Sequence, residues 1–158
     1  MVAYAPPISS VRYGGFWIRL VAIIIDWIVL GVVSWPIRAI IFAVMHVPRY
    51  DWGPNYDGHF GPLFAVIPVI VGANTVIYWL YEALLMSSTW QATLGKKALN
   101  LRVTDEAGNR ISFARASGRH FAKYISWLTL GIGYIMAAFT DRKRALHDML
   151  AGTLVRRD

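Results

Sequence analysis

The chain contains no cysteine. That absence excludes disulfides, a thiolate nucleophile and cysteine-based metal sites, and it removes any clue to redox compartment. Histidine is scarce as well, with four in 158 residues. No HExxH pattern, paired-histidine metal spacing, P-loop or GxSxG elbow occurs, and the serines of ISFARASGRH have no base at a workable spacing. The sequence therefore argues against an enzyme, a metal centre and a bound cofactor. Acidic residues are few, nine against sixteen Lys and Arg, for a net charge of +7. The opening MVAYAPPISSVRYGG lacks a short apolar core followed by a small-residue cleavage site, so it does not read as a secretory signal. The first hydrophobic segment is expected to stay in the protein.

Apolar residues are abundant. They make up 56% of the chain, 14% is aromatic and the mean hydropathy is +0.44, above the roughly 45–50% apolar content of soluble domains. A hydrocarbon core of about 30 Å needs about 20 mostly apolar helical residues, and segments 16–34 and 63–86 supply them. The first can extend to 45 through WPIRAIIFAVM, since Pro36 kinks a helix without ending it when the freed carbonyl finds a partner. Between the spans, 46–62 is dense in Pro, Gly, Asn and Asp, which are turn formers, and reads as an external loop.

Segment 87–120 is basic. Lys96, Lys97, Arg102, Arg110, Arg115, Arg119 and Lys123 lie in and just after it, against Arg49 alone in 46–62. By the positive-inside rule the N-terminus and this region are cytoplasmic. Leu99, Leu101 and Val103 alternate with polar residues, DEAGN supplies a turn, and Ile111 and Phe113 resume the alternation, which is a β-hairpin signal. Arg115, Arg119 and Lys123 fall at helical spacing and predict a basic stripe lying in the headgroup plane. Segment 121–140 is short for a straight span and carries Gly131 and Gly133, so it reads as a broken or hairpin third membrane segment. The tail, 141–158, holds five basic and three acidic residues. That balance favours a cytoplasmic C-terminus, with 152–156 pairing to the hairpin. Three simple spans are the alternative. The expected fold is thus mainly α, one small polytopic helical bundle over 1–158: two full spans, a third broken or hairpin membrane segment and a short cytoplasmic β-hairpin.

Ionisable residues inside these spans are the candidate site, because each costs about 2.5–3.5 kcal/mol near the bilayer centre on insertion scales. Asp26 lies about 15 Å of helix beyond Phe16, near the midplane, whereas Arg19 lies near the cytoplasmic end. Asn74, Tyr78 and Glu82 form one polar stripe on the second span. The expected pairs are Arg19 with Glu82, and Asp26 with Asn74 or Tyr78. Buried polar groups also serve simply as glue between helices, at about 0.6 kcal/mol per hydrogen bond.

An Arg near the start and an Asp in the middle of the first span, YE in the second, TLGKKALNLRV in the basic loop and RALHDMLAGTLV near the end resemble the RDD family of bacterial membrane proteins over about 14–155. The family is named for one arginine and two aspartates, which Arg19, Asp26 and Asp148 match; Asn100 stands where a glycine is common. The resemblance implies a multipass protein of the bacterial inner membrane and a transport role, since exchange of sodium or potassium for protons is attributed to some members. In that reading Asp26 is the protonatable site, a monovalent cation or proton is the ligand, and His147 handles protons. Asp148 pairs with Arg19 or with the GKK lysines, Lys96 among them. The alternative is a non-catalytic interaction or assembly protein whose buried charges hold the bundle. Other expected partners are the lipid bilayer with its anionic headgroups, and further copies in a homo-oligomer, which would shield Asp26 from lipid. Nucleic acid is not expected, because the basic loop has few interleaved aromatics.

Overall fold

The computed structural model describes residues 12–44 and 61–158. The expected external loop lies, up to residue 60, outside the described residues. The architecture is mainly helical, with a small antiparallel sheet. Chain contacts divide it into two compact units: Trp27–Tyr78, and the described part of Met1–Asp26 together with Trp79–Asp158.

Two long helices dominate. Helix α1 runs Phe16–Val44 and passes through Pro36, and α2 runs Gly61–Ser87 and passes through Pro68. At 1.5 Å per residue they are about 44 and 40 Å long, more than a hydrocarbon core requires. Phe16–Ile41 and Val66–Ser87 are long and apolar enough to cross a membrane. Trp27, Ile28, Val32 and Trp35 of α1 and Phe64, Ile67 and Val71 of α2 are exposed. In the Trp27–Tyr78 unit, Arg38 Nη2 donates to Asn74 Oδ1 at 3.1 Å, and the Asn74 amide donates to the Ile70 carbonyl at 2.7 Å. Helices apolar on all sides and left uncovered by protein are the pattern of membrane spans.

The second unit is built around the sheet. After α2, Thr93 caps a short helix α3, Leu94–Ala98, which leads into β2, Leu101–Asp105. The expected hairpin turn forms: Asp105 N donates to Asn109 O at 3.0 Å, the Asp105 carboxylate accepts from Asn109 N at 2.7 Å, and Thr104 bridges Arg110. Its second limb goes no further. Ser112 Oγ accepts from Arg115 N at 3.2 Å, and this N-cap starts helix α4, Phe113–Leu128, so Phe113 is helical rather than part of a strand. The main partner of β2 is β3, Thr153–Arg157, paired from Leu101↔Arg157 to Asp105↔Thr153. The other edge of β3 pairs with β1, Arg12–Tyr13, a strand too short to leave a periodic signal in the sequence. Leu101, Val103 and Val155 of the sheet close a core with Ala22, Ala83, Met86, Ile111 and Ala116.

Helix α4 ends at Leu128, and α5, Ile132–Phe139, returns beside it. The reversal needs left-handed backbone at Leu130 (φ 53°) and Gly131 (φ 82°); glycine adopts that conformation without a Cβ penalty. Its tip is apolar and bare, with Leu130 92% exposed and Trp127, Leu128 and Ile132 also exposed. Helix α6, Leu146–Leu150, packs against α4 and α5 and leads into β3. Helix α4 is amphipathic in the reverse of the expected sense. Arg119, His120 and Ser126 are buried, while Phe121, Tyr124, Ile125 and Leu128 point outward. The basic stripe therefore faces the protein interior from Arg119 onward, because the acids it needs, Glu82 and Asp148, are there.

Candidate functional site

The buried charged residues of the sheet-containing unit form one connected chain of contacts. It begins and ends on α1, two turns apart. Arg19, close to the start of α1, donates Nε to the Gly14 carbonyl at 2.7 Å, Nη2 to the Lys143 carbonyl and Nη1 to Asp148 Oδ2. One guanidinium thus ties together the segment entering α1, the loop before α6 and α6 itself. Asp148, fully buried, also accepts from Arg119 Nε at 2.9 Å and Nη2 at 2.6 Å, and from the Ala145 backbone amide at 3.1 Å. That last bond satisfies an amide at the open end of α6. Burial alone would raise the Asp148 carboxyl pKa, but Arg119 and then Arg19 hold it well below the usual carboxylate range.

Arg119 forks between two acids. Its Nη1 reaches Glu82 Oε1 at 3.4 Å and Met86 Sδ at 3.5 Å. Glu82, also buried, takes His120 Nδ1 at 2.8 Å and Lys123 Nζ, and Lys96 Nζ stands 3.8 Å away. Lys96 Nζ is also 3.5 Å from Thr93 Oγ1. Burial pulls the Lys96 pKa down from 10.5 to about 7, and Glu82 only partly counters that. Thr93 closes the chain by donating to Asp26 Oδ2 at 2.6 Å.

Asp26 is 2% exposed and bears three hydrogen bonds: from Thr93, from Tyr81 Oη at 2.7 Å and from Gly95 N at 2.7 Å. Tyr81 Oη in turn accepts from Leu94 N at 3.0 Å. The carboxylate therefore holds the first turn of α3 against α1. The approach depends on Gly95, because a Cβ there would lie 2.1 Å from the Ala22 carbonyl oxygen.

Several expected pairings are replaced. Arg19 pairs with Asp148, one of the partners expected for that aspartate, and not with Glu82, whose cations come from α4 and α3. Asp26 is held by Tyr81, Thr93 and Gly95, while Asn74 spends its side chain on Arg38 and on the Ile70 carbonyl. Tyr78 and Asn74 both line a cavity of about 390 Å³ within the Trp27–Tyr78 unit. His147 is buried between Ser126 Oγ, 3.3 Å from Nδ1, and Asp148, 3.5 Å from Nε2. Burial first, then Arg119, lowers its pKa from 6.5 to about 2, so the ring is neutral rather than a proton carrier near pH 7. Sequence reading missed Arg119, Thr93, Gly95 and Tyr81 as members of the site. The available signal was arithmetic: Asp26, Glu82 and Asp148 outnumber Arg19 and Lys96, the two cations singled out. No group of three or more His, Asp or Glu among the described residues is arranged to hold a metal ion.

Two long apolar helices with exposed faces and a small sheet unit with a buried charge network define a membrane-associated helical protein. The RDD family model matches residues 13–152. The chain belongs to the RDD family, and Arg19, Asp26 and Asp148 are joined through one network. It is 39% identical to the protein YxaI of Bacillus subtilis (strain 168) over 146 residues, 89% of this chain and 95% of that one. It is 28% identical over 149 residues to the membrane protein YteJ of the same organism, covering 90% and 80% of the two chains. YckC, also from that organism, is 29% identical over 147 residues, 89% and 82% of the chains. No solved structure matches the chain.

Proposed function

We propose that the protein is a non-catalytic multipass assembly or interaction protein of the bacterial inner membrane, in which the buried charges latch the two spans to a cytoplasmic cap. One observation carries this reading: the Asp26 carboxylate is sealed, with three donors on its two oxygens. That carboxylate ties the start of α3 to α1. Its loss leaves the start of α3 without an acceptor. The pairing of Arg12–Tyr13 with Thr153–Arg157 in one sheet, together with the basic tail, supports a cytoplasmic location for both ends. Bare apolar faces on α1 and α2 support a homo-oligomer as the working form.

Exchange of a monovalent cation for protons is the second reading. Its supporting observation is the contact chain from Asp26 through Thr93 and Lys96 to Glu82, with Lys96 at the wall of an adjoining cavity. Reconstitution into vesicles separates the two. The latch reading expects no proton flux above protein-free vesicles under gradients of sodium or potassium, together with a large loss of thermal stability in Asp26→Asn. Cation-dependent flux in wild type, abolished in an Asp26→Asn protein that remains as stable as wild type, would overturn it in favour of transport.

A further inference from the structure

A cavity of about 330 Å³ lies beside the charge network, in the sheet-containing unit. Its walls are mainly apolar, with Phe16, Leu20 and Ile23 from α1 and Ile135 from α5. Leu20 and Ile135 are also partly exposed, so the apolar wall continues onto the outer surface. At the inner end stand Arg19, Lys96, Arg119 and Lys123. These four cations face three carboxylates, Asp148, Glu82 and, through Thr93, Asp26. The network is one negative charge short. The shortage falls on Lys96. Its ammonium has three protons to donate, it is 5% exposed, and its contacts are long, 3.5 Å to Thr93 Oγ1 and 3.8 Å to Glu82.

A buried cation with unfilled donors at the end of an apolar slot selects for an anion that carries hydrocarbon. An inorganic ion would satisfy the charge and leave the walls uncovered; a neutral hydrocarbon would do the opposite. The volume lies in the range of ordinary small-ligand pockets, about 300–1,000 Å³. Basic pockets beside membrane helices on the cytoplasmic side are suited to anionic lipid headgroups. We propose that this cavity is a specific binding site for one anionic phospholipid, with its phosphate at Lys96 and an acyl chain along Leu20, Ile23 and Ile135. The site is independent of whether the protein transports ions, and it differs from the diffuse attraction of surface lysines and arginines for the membrane.

The test uses the full chain in an uncharged detergent, with phosphatidylglycerol, phosphatidylcholine or inorganic phosphate added, read by thermal unfolding and by native mass spectrometry of retained lipid. Phosphatidylglycerol should raise the unfolding temperature and leave one lipid bound, and the other two should not. Lys96→Gln should weaken the phosphatidylglycerol effect at least tenfold in the concentration required. Ile135→Trp, which blocks the slot without touching a charged group, should do the same and covers the case in which Lys96→Gln fails to fold. Arg102→Gln, an exposed basic residue outside the cavity, should leave the effect unchanged. Equal binding of phosphatidylcholine, an equal shift with inorganic phosphate, or full lipid retention in Ile135→Trp would overturn the proposal.

Discussion

Gly95 and Ala22 approach so closely that a Cβ on Gly95 would stand 2.1 Å from the Ala22 carbonyl oxygen and 3.0 Å from the Asp26 Cγ. The contact is backbone against backbone, so no side chain can rotate away to relieve a clash. Gly95→Ala must push α3 off α1, and the bond from Gly95 N to Asp26 goes with it. Overpacking costs about 1–3 kcal/mol or more, and loss of a charge-assisted hydrogen bond adds about 1.5–3 kcal/mol. Chemical denaturation in mild detergent should show Gly95→Ala among the most damaging single-methyl changes in the chain. Gly118→Ala is the control. A Cβ there meets nothing within 4 Å, and in the interior of α4 the change should stabilise by about 0.5–1 kcal/mol. Similar stability for the two variants would refute the close-packed latch.

Arg119 touches both Glu82 and Asp148. Its geometry is a fork, with Nε and Nη2 on one acid and Nη1 on the other, which a lysine ammonium cannot reproduce. Arg119→Lys keeps the charge and should still lose stability. Arg119→Met, which leaves two buried carboxylates short of a partner, should cost about 3–5 kcal/mol, the range for breaking a buried ion pair from one side. Unfolding midpoints give the comparison. If Arg119→Lys matches wild type, charge alone suffices and the forked contact carries no weight.

The reach of the sequence follows from which interactions have a period. The two apolar helices, the turn at DEAGN and the reversal near Gly131 were legible, since each has a local signature in hydropathy or turn chemistry. Arg19, Asp26 and Asp148 were singled out, and Arg19 was one of the partners offered for Asp148, but the partners of Asp26 and the cations on Glu82 from α4 were not. A depth count along two antiparallel helices gave Glu82 to Arg19 and Asn74 or Tyr78 to Asp26. It could not know that Thr93 and Gly95, beyond the end of α2, fold back onto α1. Arg119 was assigned to the headgroups because helical spacing shows that residues share a face and does not show where that face points. The two-residue strand Arg12–Tyr13 exists only because β3 offers it an edge.

Acid should weaken the fold in stages. Lys96 falls from 10.5 to about 7 on folding, so between those values the unfolded chain holds the extra proton and stability rises with pH. His147, at about 2 in the fold against 6.5, acts in the same direction between those limits. Asp148 is depressed below 3.8, so its contribution is present above that value and disappears as pH falls through the lower folded value. Each group adds a slope of at most about 1.4 kcal/mol per pH unit within its window. Lipid-free protein in uncharged detergent should therefore melt higher at pH 9 than at pH 7, and higher at pH 7 than at pH 5. Lys96→Met should flatten the upper limb and His147→Gln the lower. A wild-type melting temperature that falls between pH 7 and pH 9 would show that Lys96 keeps its proton on folding.

Strand pairing bears directly on topology. Tyr13, just before α1, is registered with Arg156, three residues from the last strand's start, and Gly14 N donates to the Val155 carbonyl at 2.9 Å. A sheet cannot straddle a bilayer, because its unpaired backbone groups would be left in hydrocarbon. On the proposed two-span topology the strands β1 and β3 are expected on one side, with α1 and α2 as the crossings and α4 with α5 returning without crossing. The proposal puts that sheet in the cytoplasm, as the positive-inside rule expects for the basic residues around it. The chain is free of cysteine, so single reporters can be read cleanly: one appended after Asp158, one inserted ahead of Val2, and Asp57→Cys between the spans. In intact cells an impermeant thiol reagent should label only the Asp57 reporter, and permeabilisation should expose the other two. Labelling of one terminal reporter but not the other in intact cells would break the β1–β3 pairing. Labelling of both, with Asp57→Cys protected, would keep the pairing and invert the protein in the membrane.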